Sequence, residues 1–97
     1  MRRRAKVDEN QPEIVAALRA VGAWVLPVHQ LEKAFDVLVG YRGGLFIMEI
    51  KNGELPPSQR RLTEGEEKCK RDVEKSGNKY NVVENIEEAM NVITKRK

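Results

Sequence analysis

Apolar residues recur at helical spacing over residues 11–21, where Ile14, Val15, Leu18 and Val21 share one side. Asn10 with Glu13 three residues later fits a capping box, Pro12 suits the first turn, and Gly22 stops the helix. The pattern then shifts to extended runs. Residues 23–28 read as a strand whose Trp24, Val25 and Leu26 can fill a core, and Pro27 makes it an edge strand or bends it. Val37-Leu38-Val39 and Leu45-Phe46-Ile47-Met48 are two more apolar runs, and Arg42-Gly43-Gly44 between them folds the pair into an antiparallel hairpin. Asn52-Gly53-Glu54 is turn chemistry, and Pro56-Pro57 predicts an extended segment outside any ladder. Thr63 and Glu66 form a second capping box for a helix running to Ser76 and stopped by Gly77, with Leu62, Cys69 and Val73 on one face, which makes Cys69 a core residue. Residues 80–83 form a short strand, and Asn85 with Glu88 caps a last helix bearing Ile86, Ala89, Met90 and Ile93, with Met90 in the core rather than a ligand. The order αβββαβα predicts an α/β fold in which three helices flank a mixed four-stranded sheet.

The hairpin has a chemical consequence. Cross-strand partners around a tight turn have residue numbers that sum to a constant, which sets Asp36 beside Glu49 or Lys51. Side chains alternate along a strand, so Glu49 and Lys51 share a face while Met48 and Ile50 point to the other. Two carboxylates and an ammonium thus converge. Like charges at that distance disfavour joint ionisation unless a cation lies between them, and hard carboxylate oxygens suit Mg²⁺ or Mn²⁺.

Asp36, twelve intervening residues, then Glu49-Ile50-Lys51 resembles the signature of the PD-(D/E)XK nuclease superfamily, with Phe35 where that family carries a proline. Leu55-Pro-Pro-Ser-Gln-Arg-Arg-Leu-Thr63 and the Asp8-to-Val15 stretch ahead of the first helix extend the likeness to the stand-alone VRR-NUC proteins of phages and bacteria over nearly the whole chain. The resemblance implies a restriction-endonuclease-like core and a homodimer that cuts four-way (Holliday) junctions with Mg²⁺ or Mn²⁺. It makes Asp36, Glu49 and Lys51 catalytic, and Asp36, Glu49 and the Ile50 carbonyl the metal ligands. Relatives of the resolvase type add an acid on the first helix. Here the helical wheel puts Gln11 on the core side and turns Glu13 toward solvent, so Gln11 takes that place, with Glu13 as the alternative. Ser58 and Gln59 follow the site as candidate phosphate or water contacts, Gln59 ahead of Ser58 by the resemblance, and Arg60 and Arg61 as candidate DNA contacts.

Composition narrows the partners. The 97 residues carry a net charge of +3 and are 34% charged, and they read as one domain with no repeat or linker, small enough that a second subunit would help stabilise it. The bases cluster at Arg2-Arg3-Arg4, Arg60-Arg61, Lys68-Lys70-Arg71 and Lys95-Arg96-Lys97, as suits a phosphate backbone, with residues 1–7 and 95–97 read as frayed basic tails. Cys69 is the one cysteine, so neither a disulfide nor a zinc cluster can form within the chain, and a reducing cytoplasm is the expected compartment. No apolar run reaches membrane length, and no signal-peptide core follows the N-terminal arginines. His29, the single histidine, has no second histidine for a metal pair and reads as a loop residue leading toward Asp36. Rival readings are a general or flap- and nick-directed nuclease, a non-catalytic DNA-binding module of the same fold, and a structural or regulatory protein with a charged patch.

Overall fold

A computed structural model describes residues 9–28 and 34–95. His29 and the arginines and lysines of residues 1–8 and 96–97 lie outside the described residues. Helix α1 (Gln11–Ala20) leads to strand β1 (Trp24–Pro27), the hairpin β2 (Val37–Tyr41) and β3 (Gly44–Ile50), a short 3-10 turn (Pro57–Gln59), helix α2 (Glu64–Lys75), strand β4 (Tyr80–Val83) and helix α3 (Ile86–Thr94). The expected element order holds. The four strands form one sheet in the order β1-β2-β3-β4, antiparallel except for the parallel β3–β4 pair.

The hairpin tip is Arg42-Gly43 alone, since Tyr41 already pairs with Gly44. Both tip residues have positive φ, 46° and 84°, the handedness that matches the twist of the flanking strands. Gly44 leaves room for the Phe46 ring, which a Cβ there would meet at 2.7 Å and displace. Helix α1 ends as expected, with Gly22 at φ 95° donating to the Arg19 carbonyl and Ala23 reaching back to that of Leu18.

The core lies on one face of the sheet. Ile14, Val15 and Leu18 of α1 and Ala89 and Ile93 of α3 pack against Val25, Val37, Val39, Met48, Ile50 and Val83. Each of the largest of these, fully buried, contributes about 1.5–3 kcal/mol. Met90 is half-buried against this cluster. The other face is covered only toward β4, by α2.

That unequal cover corrects two expectations. Trp24 and Leu26 do not fill the core; they alternate with Val25 onto the second face and stay 53% and 44% exposed, the indole lying against Gly40. Pro27 does mark an edge strand. Cys69 is half-buried, because α2 has no fully buried residue. Two local readings also change. Asn10 caps α1 without a side-chain bond, because its amide instead donates to the carbonyls of Lys51 and Glu84 at 3.2 and 3.1 Å, tying α1 to the ends of β3 and β4. Pro56 is extended as expected, but Pro57 opens a 3-10 turn, its fixed φ being compatible with a first helical position. Thr63 and Glu66 form the full reciprocal box at the start of α2, while at α3 Asn85 caps and Glu88 turns its carboxylate to the Glu84 amide.

Candidate active site

Val37 pairs with Met48, and the Asp36 amide donates to the Met48 carbonyl at 3.1 Å, so Asp36 stands opposite Glu49. Its carboxylate accepts from the Ile50 amide at 2.7 Å, which turns it along the end of the sheet toward the Glu-Ile-Lys segment. Tyr80, buried on β4, donates its hydroxyl to the Ala34 carbonyl at 2.6 Å and so fixes the chain just ahead of Asp36. Burial first, then the charges of Glu49 and Glu66, keep that phenol protonated.

Glu49 is 3% exposed although it faces away from the main core. Its Oε2 lies 3.2 Å from Lys51 Nζ, and its Oε1 is buried without a hydrogen-bond partner. Glu66, projecting from the first turn of α2, places Oε1 3.1 Å from the same Nζ. The ammonium is therefore gripped by two carboxylates. Burial pushes the Glu49 carboxyl up to about 9, Asp36 and Glu66 add to that, and Lys51 offsets only part. Burial, with Asp36 and Glu66 beside it, outweighs the short Glu49–Lys51 contact. Burial works against the Lys51 charge, but the Glu66 hydrogen bond and the two neighbouring carboxylates outweigh it and hold the amine above its ordinary value. Glu66, despite burial, is drawn below the usual range by the Thr63 amide and by Glu49 and Lys51.

The other expected site residues divide. Gln11 is 4% exposed and its Oε1 is buried without a partner, next in sequence to the Asn10 that reaches the Lys51 carbonyl. Glu13 is exposed, as the helical wheel predicts. Ser58, Gln59 and Arg61 are exposed on the segment after the site. Arg60 is engaged within the fold: Nε donates to the Leu55 carbonyl at 2.7 Å, and Nη1 lies 3.1 Å from Glu84 Oε2. Glu66 and Tyr80 are the residues that sequence reasoning did not place at the site. The capping box reveals Glu66 in sequence, but nothing local announces the lysine that its carboxylate meets.

Among the described residues no group of three or more His, Cys, Asp or Glu side chains gathers to hold a metal. The pair Asp36 and Glu49 nevertheless fits a small hard cation. A divalent ion would give the partnerless, buried Glu49 oxygen a partner and offset the burial and neighbouring negative charge that raise this carboxyl.

A mixed sheet with helices on both faces, and charged groups at the C-terminal end of its central hairpin strand, agrees with the restriction-endonuclease-like α/β fold expected from the sequence. A solved structure described as a VRR_NUC domain aligns with a TM-score of 0.62 and 17% identity over 92% of this chain and 100% of its own. That likeness establishes the fold. No family model matches the sequence, and no curated protein does. No helix among the described residues is long and apolar enough to cross a membrane.

Proposed function

We propose that this chain is a divalent-metal-dependent endodeoxyribonuclease that hydrolyses phosphodiester bonds, acting on four-way junctions as a homodimer. The observation that carries the reading is the buried Glu49 carboxyl, its Oε2 on Lys51 and its Oε1 without a partner, opposite Asp36 on a VRR_NUC fold. Asp36, Glu49 and the Ile50 carbonyl would hold Mg²⁺ or Mn²⁺. When bound, such an ion supplies Lewis acidity toward a phosphate oxygen and lowers the pKa of a water. Lys51, kept charged by its two acidic neighbours, orients the attacking water and stabilises negative charge on the phosphate. Gln11, neutral, can orient a water but adds no charge.

Support for a second copy comes from the uncovered sheet face. Trp24, Leu26 and Leu45 are exposed there, and the register sets Trp24, Gly40 and Leu45 in one cross-strand row and Leu26, Leu38 and Ile47 in the next. An apolar area of this kind is a common mark of an interface. The patch adjoins the charged cluster on the same side of the sheet, so pairing through it would bring two sites near each other, as opposed nicks in a junction require. Sedimentation equilibrium is expected to give twice the chain mass, and Leu45→Glu, 67% exposed in one copy, to return the monomer.

The test of activity is a labelled four-way junction with Mg²⁺. Symmetric nicks support the reading, equal cutting of linear duplex reduces it to a general nuclease, and no cutting with any divalent ion sinks it. A second reading, a non-catalytic DNA-binding module, has in its favour that Gln11 and not an acid occupies the buried position on α1. Calorimetric titration with Mn²⁺ separates the two, since that module need not bind metal.

The arginines carry a separate expectation. Arg61→Ala should lower the slope of log affinity against log salt by about 1, as loss of one phosphate contact does. Arg60→Ala should instead show mainly as a lower melting temperature, since it unties the segment after the site from Glu84. Anisotropy titrations over a salt series, with thermal scans, measure both.

A further inference from the structure

Helix α2 is held to the sheet in an unusual way. It has no fully buried residue, and its mean hydropathy is strongly polar, so apolar packing anchors it weakly. Glu66 supplies a different tie. Its Oε1 accepts from the Thr63 amide at 2.9 Å, closing the capping box, and the same atom lies 3.1 Å from Nζ of Lys51, just past the end of β3. The Thr63 hydroxyl completes the box by accepting from the Glu66 amide at 3.2 Å. A helix cap alone needs only the Thr63 contacts. Bringing that carboxylate, 16% exposed, onto the amine of a residue fifteen positions earlier is a second arrangement that capping does not require.

A lysine ammonium is a point charge on four rotatable carbons, and a single carboxylate leaves it free to swing. Glu49 holds it from the strand side at 3.2 Å, and Glu66 holds it from the helix side. We infer that Glu66 is a positioning residue for Lys51, fixing the ammonium beside Glu49 and coupling the start of α2 to the geometry of the site. This rests on the reading of Asp36, Glu49 and Lys51 as the hydrolytic centre. What the position needs is an acceptor oxygen placed by the capping box, and the glutamine amide carbonyl offers one at the same reach.

Three variants test it, with one readout that needs no activity. In protein labelled with ¹⁵N-lysine, a Lys51 ammonium held by two acceptors should exchange slowly enough with water to give a resolved resonance. Glu66→Ala is expected to lose that resonance and to lower kcat on a junction about 10–100-fold with KM nearly unchanged, the usual cost of removing a group that orients a reacting side chain. Glu66→Gln is expected to keep both. Thr63→Ala, which removes only the hydroxyl of the box, should lower the melting temperature and leave the resonance and kcat in place. The inference is overturned if Glu66→Ala keeps the resonance, if Glu66→Gln is as damaging as Glu66→Ala, or if Thr63→Ala reproduces the full loss. Should no variant and no wild-type protein cut DNA, the resonance still decides: its loss in Glu66→Ala and survival in Glu66→Gln sustain the positioning role while the hydrolytic reading fails.

Discussion

Replacing Asp36 by Asn, Glu49 by Gln or Lys51 by Ala is expected to lower the single-turnover rate of junction nicking by roughly 10²–10³-fold or more, the range seen when one charge-stabilising group is removed from a preorganised site. Binding of the same junction, measured by anisotropy with Ca²⁺ in place of Mg²⁺, should change only a few-fold, because the surrounding basic surface is untouched. The losses should not add. The three side chains lie within one cluster in which Lys51 contacts Glu49 directly and Asp36 acts on Glu49 through its charge, so a double variant should be hardly slower than the worse single one. Full activity in Lys51→Ala, or an unchanged rate in Glu49→Gln, would remove the basis for the nuclease reading.

The second large effect is on stability without metal. The Glu49 carboxyl titrates near 9 in the folded chain and in the ordinary glutamate range when unfolded. A group raised in this direction contributes stability that is complete below the unfolded value and is lost as pH climbs toward the folded one. The metal-free protein should therefore weaken steadily between about pH 4.5 and 9. Glu49→Gln cannot ionise and should flatten that slope. At pH 8 it should melt about 5–15 °C higher than the wild type, corresponding to roughly 1–3 kcal/mol for relieving an uncompensated buried group in a chain of this size. Mn²⁺ should raise the melting temperature of the wild type, more at pH 8 than at pH 6 because binding must displace the Glu49 proton, and should do little for Glu49→Gln. Differential scanning fluorimetry over a pH series, with and without Mn²⁺, measures all of this; a wild-type curve as flat as that of Glu49→Gln falsifies the assignment.

The parts of this site that were legible in sequence are those that depend on near neighbours. The Gly-containing tip and the alternating runs on either side of it define the β2–β3 pairing, and from that pairing alone Asp36 meets Glu49 and Lys51 shares its face. Gln11 on the core side of α1 and Glu13 outside it follow from helical periodicity. What was hidden depends on distant partners. Asn10 looks like a cap because capping is the local use of asparagine, yet its acceptors are Lys51 and Glu84. Arg60 looks available to DNA until Glu84 is beside it. Trp24 and Leu26 look like core because an apolar run on an edge strand does not say which of its faces will be covered. Glu66 was visible as half of a capping box and invisible as a partner of Lys51, since no spacing rule links the first turn of α2 to the end of β3.

The two-residue tip at Arg42-Gly43 acts as a ruler for the whole charged cluster. Adding or deleting one residue there would slide β3 by a single step against β2, and a single step exchanges inside for outside along the entire strand. Glu49 would be driven into the apolar core under α1 and α3, and Ile50 would take its place beside Asp36 and Lys51. The twelve-residue interval between Asp36 and Glu49 is therefore a count set by backbone geometry.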